Sequence, residues 1–200
     1  MRAFILIYKV MLFLAFTVCV SELHSAENRW KEGDSAYRRG DYETALNVYR
    51  SLAEKGVVQA QFSMGLMYTY GKGIPVNYVE AAKWYRKAAD KGFVNAEYVM
   101  GILHENGHGV LQNYSKAVEW YRKAANKGYG KAQVMMGAMY ARGFGVPSNY
   151  IMMHMWWSLA GRNGEGNAKL KKKLLETLMT PDEIKKAKNL ARKWLKEKQN

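Results

Sequence analysis

Ala81-Ala82-Lys83-Trp84-Tyr85-Arg86-Lys87-Ala88-Ala89-Asp90-Lys91-Gly92-Phe93-Val94-Asn95-Ala96-Glu97-Tyr98-Val99-Met100-Gly101 holds the fold in miniature. Ala81, Trp84, Tyr85, Ala88 and Ala89 step by three and four, which is the apolar stripe of an amphipathic helix. Lys91-Gly92 stops it with a basic last turn followed by a residue that enters the left-handed conformation at no Cβ penalty. A second helix is predicted from about Asn95 to Asn106, making the unit a helical hairpin whose alanines allow close approach. Gly101, inside that second helix, costs about 1 kcal/mol relative to alanine unless tight packing offsets it. Its position therefore predicts close helix contact.

The same residue types return every 36 residues, as Tyr42, Tyr78, Tyr114 and Tyr150 do. Tyr49, Tyr85, Tyr121 and Trp157 align, as do Gly56, Gly92, Gly128 and Gly164, and Ala60, Ala96, Ala132 and Ala168. Met64, Met100 and Met136 follow, then Gly65, Gly101 and Gly137, and then the paired glycines Gly71/Gly73, Gly107/Gly109 and Gly143/Gly145. This spacing, with the Gly107-His108-Gly109-Val110 turn, closely resembles the Sel1-like repeat, a relative of the tetratricopeptide repeat. The resemblance covers roughly residues 41–168 and implies an all-α fold. The expected architecture is a right-handed α-solenoid of stacked helical hairpins, about 36 residues each, with a C-terminal capping helix. The expected units are 41–76, 77–112, 113–148 and a partial 149–168, where Met153 replaces an alanine and no clear second-half motif follows Ala168.

Outside the array, Trp30, Gly33, Ala36 and the Gly40-Asp41-Tyr42 turn read as a leading tetratricopeptide-like helix over 27–40. Residues 169–200 read as basic capping helices. Thr180-Pro181-Asp182-Glu183 is a capping box with proline at the first helical position. Ile184, Ala187, Ala191, Trp194 and Leu195 share one face of the helix it starts, and basic residues cover most of the rest, as a terminal cap requires.

Residues 1–26 are expected to be an export signal: Arg2 and Lys9 precede or flank an apolar run from Val10 to Val20 that is short for a membrane span. Small residues offer cleavage after Ser21 or after Ala26. The single cysteine, Cys19, lies in this segment, so the mature chain has neither a disulfide framework nor a cysteine metal site. Val18 stands where lipoproteins carry a small residue, which argues against a lipid anchor on Cys19. The expected location is periplasmic or secreted. The chain carries 31 Lys+Arg against 17 Asp+Glu, and residues 169–200 alone hold eleven basic and four acidic side chains. Such an excess suits nucleic acid, an anionic surface or an acidic partner, or is simply a solvated helix face; export disfavours nucleic acid.

His104-Glu105-Asn106-Gly107-His108 matches the zinc-protease pattern literally, but His104 occupies the register of Tyr68 and Tyr140, and the helix is expected to end before His108. A catalytic zinc also needs a third ligand, and only His24 and His154 remain. The Gly-x-Gly turns follow helices and lack the lysine-serine/threonine signature of a phosphate loop. Met152, Met153 and Met155 read as core fillers. No serine–histidine–acid set stands out, so no catalytic residue, metal or cofactor is expected.

The positive reading concerns the second helix of each unit. With Ala60, Met64 and Met67 packed inward, the opposite side presents Phe62, Leu66 and Thr69, then Tyr98, Ile102 and Glu105, then Val134 and Ala138. The resemblance implies that these helices line a concave groove for a peptide or protein partner; the alternative is that the same side chains pack against neighbouring repeats. A monomeric, non-enzymatic interaction module is therefore expected. The rivals are a β-lactam-binding or hydrolysing envelope protein, whose branch of the family is stapled by cysteine pairs, and a basic adaptor on anionic lipid or cell-wall polymer.

Overall fold

The structure is a computed structural model and describes residue 25 and residues 27–198. The expected export signal thus lies outside the described residues apart from Ser25. Helices and turns account for the described residues, with no strand among them. The chain divides into two units after Val76.

The first unit holds α1 (residues 27–38), α2 (Tyr42–Glu54) and α3 (Val58–Tyr70). Asp41 caps α2 by accepting from the Thr44 amide at 3.1 Å. Ala45, Tyr49 and Leu52 of α2 are buried, as are Ala60, Met64 and Met67 of α3, and the two helices pack together. Gly33 of α1 is buried beneath Tyr49, whose ring also meets Trp30 at 5.3 Å.

The second unit runs α4 (Tyr78–Asp90), α5 (Val94–Asn106), α6 (Tyr114–Asn126), α7 (Gly130–Arg142), α8 (Tyr150–Arg162), α9 (Gly166–Glu176) and α10 (Pro181–Glu197). Consecutive helices pack as hairpins, α4 on α5, α6 on α7 and α8 on α9, and the hairpins stack through α5 on α6 and α7 on α8. This is the expected all-α repeat architecture. Asn77, Asn113 and Asn149 each cap the first helix of a hairpin by accepting from the amide three residues on. Gly107 and Gly143, in the left-handed conformation, end α5 and α7. The second glycine of each turn answers a tighter demand: Gly109 and Gly145 lie against the backbone carbonyls of Tyr78 and Tyr114, where any Cβ would overlap.

The mid-helix glycines are explained by aromatic rings. Tyr121 of α6 lies directly on Gly101 of α5, and Trp157 of α8 lies on Gly137 of α7, so a Cβ at either glycine would overlap the ring. Two changes finish the unit. α9 supplies the second half of the fourth hairpin although its sequence lacks the repeat motif, and it buries Ala168 and Leu175 against α8. α10 then packs on α8 through Ala187 and Ala191, with Ile184, Trp194 and Leu195 half-buried, and its Thr180–Glu183 capping box is formed. Met153 and Met155 fill core space while Met152 is half-buried at its margin.

Candidate functional site

In the first unit Phe62, Leu66 and Thr69 sit half-buried on α3, while Ala60, Met64 and Met67 of the same helix are buried. The Thr69 hydroxyl donates to the Gly65 carbonyl at 2.8 Å, turning it toward its own helix.

In the second unit Tyr98, Ile102 and Glu105 of α5 and Val134 and Ala138 of α7 are all half-buried. The two roles weighed from sequence coexist here. Tyr98 packs between Tyr121 and Tyr129 with ring centroids 5.8 and 5.3 Å away, and burial pushes its phenol pKa up. Ile102 lies against the core around Tyr121 and Met136, and Val134 against the core around Trp157. Each is held by the next hairpin on one side and open on the other. Glu105 is engaged within the fold: Tyr121 donates its hydroxyl to Oε2 at 2.7 Å, and Arg142 pairs with Oε1 at 3.0 Å. Burial first, then the Glu105 carboxylate, push the Tyr121 phenol far above its usual pKa, so it remains a donor. Sequence reasoning had not placed Tyr129 or Arg142 beside this face; they arrive from the following hairpin, about thirty-six residues away in register.

The two histidines of the protease-like pattern are held apart. α5 ends at Asn106, between them. His104 is buried with Nδ1 at 3.4 Å from the Leu111 carbonyl, and burial lowers its pKa. His108 is exposed and stacks on Tyr78 at 5.4 Å. Among the described residues no cluster of three metal-ligating side chains occurs.

Folding does assemble one serine–histidine–acid set that the sequence had not revealed. His154 of α8 is fully buried, its Nε2–H donating to Glu176 Oε1 of α9 at 2.7 Å, while Ser158 donates its hydroxyl to Nδ1 at 3.3 Å. Burial holds the imidazole below its ordinary pKa, against the pull of Glu176, and the bond from His154 lowers the Glu176 carboxyl. A neutral ring with one donor and one acceptor nitrogen satisfies both partners. With no exposed edge on the imidazole, these bonds serve to fasten α9 onto α8.

Comparison with known proteins places this geometry. Residues 58–93, 94–129 and 130–165 each match the Sel1 repeat, so that every matched unit pairs the second helix of one hairpin with the first helix of the next. A Sel1 repeat protein from Oxalobacter formigenes is similar at 32% identity and a TM-score of 0.69, covering 72% of this chain and 60% of that one. A protective antigen present in uropathogenic Escherichia coli strains, displaying an SLR fold, is similar at 27% identity and a TM-score of 0.78 over 88% of this chain and 39% of its own. An exopolysaccharide production negative regulator of Rhizobium meliloti (strain 1021) is 41% identical over 54 residues, which are 27% of this chain and 20% of the regulator. The chain therefore spans a fifth of that curated relative's length. The recurring aromatic-on-glycine stacking and the three matched units, which cover more than half of the sequence, make this chain a member of the Sel1 repeat family.

Proposed function

We propose that this chain is an exported interaction scaffold, periplasmic or secreted, that holds a peptide or protein partner on the α5 and α7 face of its second unit. Sel1 repeats mediate protein–protein interaction, and stacked hairpins provide an extended surface with little enclosed volume. The observation that carries the reading is the pairing of Tyr98 with Val134 and Ile102 with Ala138 at equivalent positions of successive hairpins. All four are half-buried, and Tyr98, Ile102 and Val134 are backed by neighbouring core side chains. Apolar anchors held on a rigid frame bind with little ordering cost. Phe62, Leu66 and Thr69 offer the same kind of surface on α3 of the first unit. The export part of the proposal rests on Arg2, Lys9 and the apolar run Val10 to Val20.

The test is affinity capture from an envelope extract with the wild type and with Tyr98→Ala/Ile102→Ala, the two matched for helicity and melting temperature. A partner retained by the wild type and lost by the variant is the expected result; equal recovery by both removes the α5 face from consideration. Export is checked by N-terminal sequencing of the native protein, which should begin after Ser21 or Ala26. A chain that keeps Met1 would refute it.

A further inference from the structure

The last hairpin carries a cleft that the partner face does not use. Between α8 and α9 it opens to about 580 Å³, lined by Ser158, Arg162, Lys169, Lys172, Lys173 and Glu176 among others. Lys169, Lys172 and Lys173 share one side of α9 by their spacing, and Arg162 comes from the last turn of α8. Among the described residues none of the four cations is in an ion pair. The single carboxylate of the cleft, Glu176, accepts from the neutral His154 ring and so keeps its negative charge, which offsets one of the four cations and leaves an excess of three. Like charges three and four residues apart work against a helix, so this arrangement favours an anion that neutralises them.

We propose that the α8–α9 cleft binds a phosphoryl ligand bearing two or more negative charges. A single carboxylate would leave most of this excess unneutralised. A di- or multiply charged phosphate meets the lysines as point charges and offers oxygens to the Arg162 fork. The volume exceeds what one phosphate fills and leaves room for the group that carries it. The outer side of α9 and the turn after it add Leu170, Leu174 and Leu178, which are 73%, 71% and 67% exposed. A phospholipid headgroup in the cleft would thus lie beside side chains suited to the acyl boundary. A soluble diphosphate and a lipid headgroup share the same recognition chemistry, and the experiment separates them.

Inorganic pyrophosphate is titrated into the full chain by calorimetry at low salt. Saturable binding is expected, at least tenfold weaker in Lys172→Ala/Lys173→Ala and changed less than twofold in Lys185→Ala/Lys186→Ala, which removes the same charge from exposed positions on α10. Circular dichroism confirms that both variants fold. No saturable binding, or equal weakening in the two pairs, overturns the proposal. Cardiolipin vesicles, whose headgroup carries two phosphate charges, and phosphatidylcholine vesicles then identify the source. Binding to the anionic vesicles that is lost in both Lys172→Ala/Lys173→Ala and Leu170→Ser/Leu174→Ser assigns the phosphoryl group to a lipid. Pyrophosphate binding without vesicle binding assigns it to a soluble ligand.

Discussion

Where α6 meets α5, Tyr121 lies on Gly101 and donates its hydroxyl to the Glu105 side chain; where α8 meets α7, Trp157 lies on Gly137 and its indole N–H donates to the Val134 backbone carbonyl at 3.2 Å. A second pair of contacts repeats the contrast. At the first junction Lys127 donates to the Gly92 carbonyl and to buried Glu97, each at 2.7 Å. At the second, Asn163 donates to the Gly128 carbonyl and to buried Gln133, each at 2.9 Å. One junction is ionic and the other neutral, yet the side chains occupy the same register. The comparison teaches that the ring-on-glycine contact and the reach to the turn carbonyl define the junction. The polar chemistry can change so long as each donor finds an acceptor.

The comparison breaks most readily at the glycines, which the two junctions share. Gly101→Ala and Gly137→Ala should each destabilise by about 1–3 kcal/mol, because the added methyl overlaps a buried ring. Alanine in an open helix interior would instead gain about 1 kcal/mol over glycine. Urea denaturation of both variants checks this, and a stabilised variant would show that the ring can move aside.

A smaller effect comes from acid, acting beyond the neutral junction. The buried His154 is held below the ordinary imidazole value of 6.5, so below that pH the unfolded chain binds the proton that the folded chain refuses. Stability should fall as pH drops from 6.5 toward the lower folded value, by at most about 1.4 kcal/mol per pH unit. Glu176, whose carboxyl is lowered from 4.5, contributes in the same direction: its stabilisation is present above 4.5 and is lost as pH falls through the folded value. Thermal melts between pH 7 and pH 5 measure the histidine part, to which buried His104 contributes with the same sign, and His154→Gln should lessen the slope of that segment without abolishing it. An unchanged slope in the variant would mean that other groups account for all of it.

The smallest effect is expected where the junctions differ. Gln61 and Gln133 donate their amides to the Ala53 and Ala125 carbonyls at 3.2 and 3.1 Å, whereas the equivalent Glu97 leaves Oε2 buried without a hydrogen-bond partner. Glu97→Gln should therefore change stability by less than about 1 kcal/mol, the lost pairing to the half-exposed Lys127 being offset by an amide bond to the Ala89 carbonyl. Denaturation at low and high salt tests it. A loss above about 3 kcal/mol would show that the ion pair itself holds the first junction.

Much of this was legible in the chain. The glycines at 92 and 128 marked helix ends, the period marked the hairpins, and the Thr180 capping box marked α10, because each depends on local backbone geometry or on a repeating stripe. The candidate face was legible only as a helical side. That Tyr98 would be clasped by Tyr121 and Tyr129, and Glu105 taken by Tyr121 and Arg142, depended on the next hairpin coming into register. α9 escaped the motif reading for a related reason: its leucines and lysines carry no repeat signature, and it is ordered by what Ala168, Leu175 and Glu176 meet on α8.

By itself the sequence determined that this protein is a run of similar helical hairpins with a divergent last one, since spacing and glycine punctuation act within a few residues and need no partner. Only the tertiary structure decided which ring covers which glycine, which carboxylate is already used, and where four cations converge on one cleft. Those outcomes join side chains from different helices, and helix packing alone sets their distances.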